Sequence, residues 1–308
     1  MKKNIILFSF FLYCSIIFAD SPGTTGFQFL KMDASARSSA MAGAFVAISN
    51  DVNVLHYNPA GIALVDQRTG SASYVNHLLD FNSGYMAVVL PKIGPGNFGF
   101  SALYMDYGNF TKTDTEAQEL GEFGANSVSL AGSYAAVIYP NLYAGASAKY
   151  VHFTIDNFSS DALAIDAGVQ YYIPSQLLTL GVAVNNLGQA VTAFIEKKDP
   201  LPTGMRVGLA KRLAHLPLLL GVNAYKYKSE RWQAAIGGEF TLSENLFLRL
   251  GYDLLGRDLN TNIGTSKETF AGTAIGLGLN VNNIHVDYSF TSFGEIGSLN
   301  RFTISSQF

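Results

Sequence analysis

The strongest limit on what this chain can fold into is a two-residue rhythm that returns over most of its length. In "NIHVDYSF", Ile284, Val286, Tyr288 and Phe290 fall on one face of an extended segment, and His285, Asp287 and Ser289 on the other. "TFAGTAIGLGLNV" sets Thr273, Ile275, Leu277, Leu279 and Val281 against Gly272, Ala274, Gly276 and Gly278. "RWQAAIGGEFTL" sets Trp232, Ala234, Ile236, Phe240 and Leu242 against Gln233, Gly237, Glu239 and Thr241. Side chains alternate across a strand, so each pattern describes a strand with one apolar and one small or polar face. About 14 such segments follow one another, from one near Arg68 through one near Ala125 to one near Ser298.

Alternation alone also fits a soluble sandwich or propeller. Composition and connections separate the cases. Only 14% of residues are charged, against 30 Gly, 16 Tyr and 22 Phe, which suits lipid-facing strands with aromatic girdles. The connections also alternate in kind. "PKIGPGN", "YPN", "IPSQ", "SEN" and "VNN" are tight, whereas "GNFTKTDTEAQELGEFG", "GQAVTAFIEKKDP" and "GRDLNTNIGTSKE" are long and polar. The longest outer loop is read as about Gly108 to Gly124. Such asymmetry marks an up-and-down barrel with two different rims, and an even strand number leaves both chain ends on the short-turn rim. Beyond the N-terminal segment no apolar run approaches the ~20 residues of a spanning helix. The expected fold is all-β: a transmembrane up-and-down antiparallel β-barrel of about 14 strands over residues 67–308, with an N-terminal helical plug or hatch segment over 20–66.

Residues 1–19 read as a signal peptide. Lys2 and Lys3 form a basic start, Ile5 to Phe18 an apolar stretch, and cleavage after Ala19 is expected although Ile17 at the −3 position is large. Cys14 is the chain's single cysteine and "FLYC" lacks the small residues of a lipidation site, so neither lipidation nor a disulfide is expected. The implied location is the outer membrane, with outer-membrane lipid and the barrel-assembly machinery as partners. A net charge of −3 gives nucleic acid no electrostatic footing.

The segment before the first strand is different in kind. Asp33 to Ser49 is rich in small residues and reads as a helix with Asp33 as its N-cap. In "LHYNPAGIAL", Pro59 forces Asn58 to be extended and opens a turn, and Gly61 permits close backbone approach. The simplest role for Asn58 is to cap that turn through its side chain. A segment placed before strand one, at the short-turn rim, has the barrel mouth as its natural destination.

Sites of chemistry are not evident. His56, His77, His152, His215 and His285 form no spaced metal set. His285 and Asp287 share a polar strand face, so a hydrolase dyad is conceivable, but lumen-facing polar pairs are expected in any such barrel. The glycine runs precede no helix and are not phosphate loops. Lys149, Arg206, Arg249 and Arg301 are assigned to the lumen or an interface zone without a ligand. No catalytic residue, metal or cofactor is expected, and no ligand pocket can be named.

Four pieces of the N-terminal stretch stand out: Gly23 to Leu30 (Gly-Thr-x-Gly-Phe-x-Phe-Leu), Ala36 to Met41 (Ala-Arg-x-x-Ala-Met), Ala44 to Ala47 (Ala-Phe-Val-Ala), and Asn58, Pro59, Ala60 and Gly61. Together they resemble the PorV/PorQ family, within the wider FadL-like group of outer-membrane barrels. His56 stands where the family often has Trp. The resemblance implies 14 strands and a plug inside the barrel, with the Asn58 to Gly61 turn folding the chain back within the lumen. It implies a non-enzymatic component of type IX-like secretion, handling secreted cargo proteins. The FadL-like alternative is a transporter of long-chain fatty acids or other hydrophobic small molecules, and a third reading is a structural barrel with a closed lumen. The aromatic C-terminal strand, in which Phe302, Ile304 and Phe308 share a face, resembles the membrane-insertion signal of outer-membrane barrels, with Phe308 as its last residue.

Overall fold

The computed structural model describes residues 25–77, 81–254 and 266–308. The expected signal peptide at 1–19, with Cys14, and the first residues of the 20–66 segment lie outside the described residues. Fourteen strands close into one barrel: β1 (Thr69–Asn76), β2 (Asn82–Ile93), β3 (Gly96–Thr113), β4 (Glu119–Tyr139), β5 (Leu142–Ile155), β6 (Phe158–Ile173), β7 (Leu178–Ala190), β8 (Gly204–Arg212), β9 (Leu218–Tyr227), β10 (Gln233–Ser243), β11 (Leu246–Asp253), β12 (Thr273–Val281), β13 (Ile284–Ser292) and β14 (Ser298–Gln307). Each pairs antiparallel with its sequence neighbours, and β14 closes on β1 with Thr69 opposite Gln307 and Asn76 opposite Asn300. Closure matters physically, because an open edge would leave a row of backbone N–H and C=O groups unpaired.

The alternation resolves as the sequence predicts. Ile236, Ile275, Leu277, Ile284, Phe302 and Ile304 stand exposed on the outer wall. Tyr74 and Tyr104 lie at one level, both opposite Gly84, near the long-loop rim, and Phe98 packs at a tilt against Tyr134 near the short-turn rim, ring centroids 4.8 Å apart. Aromatic rings flanking an apolar band match what the two lipid–water boundaries favour.

One connection differs from expectation. The stretch 108–124 is not a loop. β3 runs through Thr113 and β4 starts at Glu119, leaving a tight turn in which the Asp114 carboxylate accepts from the backbone of Glu116 and Gln118, both at 2.9 Å. Phe110 faces Phe123 across the ladder, ring centroids 5.4 Å apart, and such cross-strand pairs hold a hairpin together. With 18 and 21 residues, β3 and β4 are about twice the ~10 needed to cross a bilayer, so they project beyond the wall as a hairpin. The longest fully described connection is instead 191–203, between β7 and β8.

Residues 27–65 fill the lumen. Their helix, α1 (Ala36–Ala40), is far shorter than the expected Asp33–Ser49 span. It starts at Ser35, not Asp33: Ser35 and Ser38 form a reciprocal capping box, each side chain accepting from the other's backbone. It ends where the Gly43 N–H reaches Ser38 O and the Ala42 N–H reaches Ser39 O, both 2.9 Å, with Ala42 in the left-handed region at φ 52°. That is a Schellman stop, and it turns the chain across the lumen before it can climb further. Two 3₁₀ turns follow, Val52–His56 and Pro59–Leu64. α1 packs on β11 to β14, the first turn on β1 to β3, and the second on β3 to β6, so the segment touches most of the circumference.

The protein's core is therefore inside the barrel. Phe27, Phe29, Met41, Phe45, Val54 and Ile62 are wholly buried there. The wall makes room with small residues. A Cβ at Gly237 would lie 2.4 Å from Met41 O, and one at Gly181 would lie 2.4 Å from Val46 O. At these two positions only glycine lets backbone press on backbone.

Candidate functional site

Among the described residues, two cavities border the plug, one on each side of α1. Arg37 borders one and Ser39 the other. The cavity at the short-turn rim, about 400 Å³, is lined by polar and ionic groups. Its centre is a chain of ion pairs that ties the plug to the wall. Glu239 on β10 accepts from Arg37 Nε and Nη2, both at 2.7 Å, and from Arg249 Nε at 2.7 Å. Arg37 Nη1 also reaches Asp51 at 2.8 Å, and Arg249 Nη1 reaches Asp287 at 2.5 Å. Arg249 is 1% exposed, so these are interior pairs whose geometry decides whether they repay their lost hydration.

This network answers the question of a His285–Asp287 dyad. His285 Nε2 does sit 2.8 Å from Asp287 Oδ1, but the same carboxylate oxygen is held by Arg249, and the other ring nitrogen turns to Asn280. The pair is part of an ionic scaffold. Among the described residues no group of three His, Cys, Asp or Glu is placed to hold a metal.

The cavity at the long-loop rim, about 270 Å³, is of another character. Arg206 on β8 lies over the rings of Tyr57, Tyr225 and Tyr227 at 5.4, 5.1 and 5.5 Å, and donates to the Tyr227 hydroxyl. Met32, Phe293 and Leu299 add apolar wall, and Arg301 on β14 closes one side. Tyr57 donates to Asp33 at 2.6 Å, which is the role Asp33 has in place of capping α1. Burial, followed by the charge of Arg301, lowers the pKa of His77 to about 4, so at neutral pH it contributes no charge here; it bonds Ser83 at 2.7 Å. Lys149, on β5, is buried in a pair with Asp166 at 2.6 Å. All four cations singled out in the sequence thus point inward.

The Asn58–Gly61 turn lies against the wall opposite α1. Asn58 is fully buried and N-caps the turn, its Oδ1 accepting from Ala60 N at 3.1 Å. Its Nδ2 faces three carbonyls, Val46 O at 2.9 Å, Val169 O at 3.2 Å and Val182 O at 3.4 Å, which joins plug to β6 and β7. Pro59 and Ala60 press on Gly145, where a Cβ would be 2.6 Å from backbone, and Gly61 fits under Val54 and Ile48. His56, beside the turn, packs edge-on against Tyr57 and Tyr85. Burial, then the charges of Lys149 and Arg206, hold its pKa well below the usual value, so it stays neutral. Phe308 is 71% exposed on the outer face, its N–H bonded to Arg68 O at 2.9 Å.

Asn58→Ala removes the cap, about 0.5–2 kcal/mol, and leaves buried carbonyls without a donor, about 1–3 kcal/mol. A loss of about 2–4 kcal/mol is expected in urea unfolding from lipid vesicles. A loss under about 1 kcal/mol would show that the turn is not a joint between plug and wall.

Arg37, Glu239, Tyr225 and Tyr227 were not singled out by sequence reasoning. For Arg37 a signal existed: it is the lone charge in the small-residue run from 34 to 50, and a charge in a segment destined for a lumen needs a partner.

No protein-family model and no curated protein matches the chain. Solved structures do. The Ralstonia pickettii toluene transporter TbuX superposes with a TM-score of 0.62 at 13% identity, over 90% of this chain and 99% of that one. This is the fold of the FadL-like hydrocarbon channels. A Pseudomonas aeruginosa FadL homologue gives 0.57 at 12% identity, over 89% and 98%, and the CymD monoaromatic hydrocarbon channel gives 0.59 at 10%, over 89% and 97%. At such identities the likeness carries the FadL-like fold and not the finer PorV/PorQ assignment.

Proposed function

We propose that this chain is a non-enzymatic outer-membrane channel for hydrophobic small molecules, and that residues 25–66 are its movable plug. The observation that carries the reading is the pair of cavities beside the plug: at one rim a cavity with aromatic and apolar walls that also holds Arg206 and Arg301, at the other one centred on an ion-pair chain, and a tightly docked plug between. The resemblance in fold to proteins named as toluene and monoaromatic hydrocarbon channels supports it. The short-turn rim faces the periplasm and the long-loop rim the exterior, so an apolar molecule meets the aromatic cavity first. Beyond the plug lie Arg37, Glu239, Arg249 and Asp287, a poor solvent for a hydrophobe, so release sideways into lipid costs less than release through the short-turn mouth. The signal peptide at 1–19 and Phe308 serve export and insertion in this reading, through the barrel-assembly machinery.

This replaces secretion as the leading function. Cargo handling would need a large outer surface, and among the described residues the β3–β4 hairpin is the main projection. Native mass spectrometry on protein extracted gently from its own membrane tests the choice. A bound hydrophobe of a few hundred daltons supports the channel. An empty barrel with a co-purifying secreted protein reverses the order of the two readings, and an empty barrel alone leaves a structural role.

A further inference from the structure

The cavity at the long-loop rim holds two arginines, neither of which has a carboxylate at hydrogen-bond distance. Arg301 is 3% exposed, its Nε has no hydrogen-bond partner, and the nearest carboxylate, Asp33, lies 4.0 Å from Nη1. Asp33 is already engaged by the Tyr57 hydroxyl. Arg206 gives one of its donors to Tyr227 and otherwise meets ring faces. The other two acids that line the cavity are engaged as well, Glu230 by Lys31 at 2.5 Å and Asp253 by the Tyr225 hydroxyl at 2.6 Å. Two of these three acids are thus held by tyrosine hydroxyls and the third by Lys31, and none of them reaches either guanidinium at hydrogen-bond distance. A buried guanidinium left in this state favours an incoming anion, above all a planar one that can take two parallel N–H bonds.

We infer that this cavity binds a small aromatic carboxylate of the benzoate or phenylacetate type. Its carboxylate takes the guanidinium of Arg301, which lines the cavity, and its ring lies among the Arg206–tyrosine stack. Volume limits the rest of the ligand. At about 270 Å³, the space is below the ~300–1,000 Å³ of drug-sized sites, which suits one ring with a short acid arm and not a long acyl chain. The walls at Met32, Phe293 and Leu299 would desolvate the ligand body, and inorganic phosphate has no apolar body to offset its lost hydration. The inference rests on the channel reading and narrows its substrate from any hydrophobe to an acid with an aromatic body.

Calorimetric titration of the full-length protein in detergent tests it, with phenylacetate, toluene, octanoate and inorganic phosphate as probes. Phenylacetate is expected to bind, and Arg301→Gln to weaken it by about tenfold or more, the weight of a charged hydrogen bond. Toluene binding should change less than about twofold in that variant, since no charge is lost to it. Arg301→Lys should recover part of the loss, which a purely structural role would not produce. If Arg301→Gln does not assemble, Arg206→Gln gives the same comparison from the other side of the cavity. Equal phenylacetate binding in the variants overturns the inference, as does octanoate or phosphate binding as tightly as phenylacetate. Toluene bound with phenylacetate unbound overturns it too, while leaving the channel reading standing. No binding by any probe also overturns it, and the native mass measurement then decides the channel reading separately.

Discussion

Gly237→Val is expected to make the assembled barrel leak. The new Cβ would lie 2.4 Å from Met41 O and 2.7 Å from Met41 Cα, and these are backbone atoms that cannot swing aside. Gly237 pairs directly with Gly221 and Gly251, whose own Cβ positions fall 2.6 Å from Ala44 O and Ala42 N. No slack therefore exists on either side, and the plug must move. Overpacking of this kind costs about 1–3 kcal/mol, which raises the plug-displaced population by about 5- to 150-fold. Sugar-driven swelling of proteoliposomes measures it, with heat-modified gel mobility confirming closure of the barrel. Gly132→Ala is the control, because its Cβ on the outer wall meets nothing nearer than the Phe100 ring at 3.8 Å. An assembled Gly237→Val barrel with unchanged swelling would mean that close backbone contact does not hold the plug.

The second large effect concerns Glu239. Its carboxylate joins Arg37 of the plug to Arg249 of the wall through three bonds of 2.7 Å. Glu239→Gln removes the charge and leaves two buried guanidinium groups sharing what remains. Breaking one partner of such a set costs about 3–5 kcal/mol, because the penalty is the uncompensated charge and not the lost attraction alone. The unfolding free energy extrapolated from urea should fall by that amount, with a lower midpoint and an unchanged slope. Adding Arg37→Met to Glu239→Gln should restore part of the stability, since one stranded charge is then gone. A fall below about 1 kcal/mol, or no recovery in the double variant, would show that the network is not what anchors the plug.

Much of the barrel was legible beforehand. About 14 strands and their faces follow from alternation, a property that each segment carries locally, and the shared rim of the chain ends follows from an even strand number. The misreadings also have local causes. The stretch 108–124 contains Thr, Asp, Gly and Glu, and so reads as a loop, but Phe110 and Phe123 find each other across β3 and β4 and keep the ladder going. Asp33 had the chemistry of an N-cap, yet a tyrosine 24 residues later claimed it and Ser35 took the cap.

The candidate site was hardly legible, because it is a product of register. Glu239 faces Arg249 only because β10 and β11 pair in that frame. Arg249 then reaches across β12 to Asp287 because Gly278 is bare, and a Cβ there would lie 2.7 Å from Arg249 Nη2 and 2.6 Å from Asp287 Oδ1. Nothing in the spacing of 239, 249 and 287 announces this. The same holds for Asp33, Arg206 and Arg301, which three distant parts of the chain bring to one cavity.

What the sequence by itself determined is the wall: about how many strands, which side of each faces outward, and that a small-residue segment precedes them. Those are decided within ten residues at a time, by side-chain alternation and hydropathy. The tertiary structure alone decided how the plug threads, where it divides the lumen, and which arginines remain short of a carboxylate. Those depend on contacts between residues as far apart as Ala36 and Thr303, 267 positions away, and only closure of the barrel brings such residues within reach.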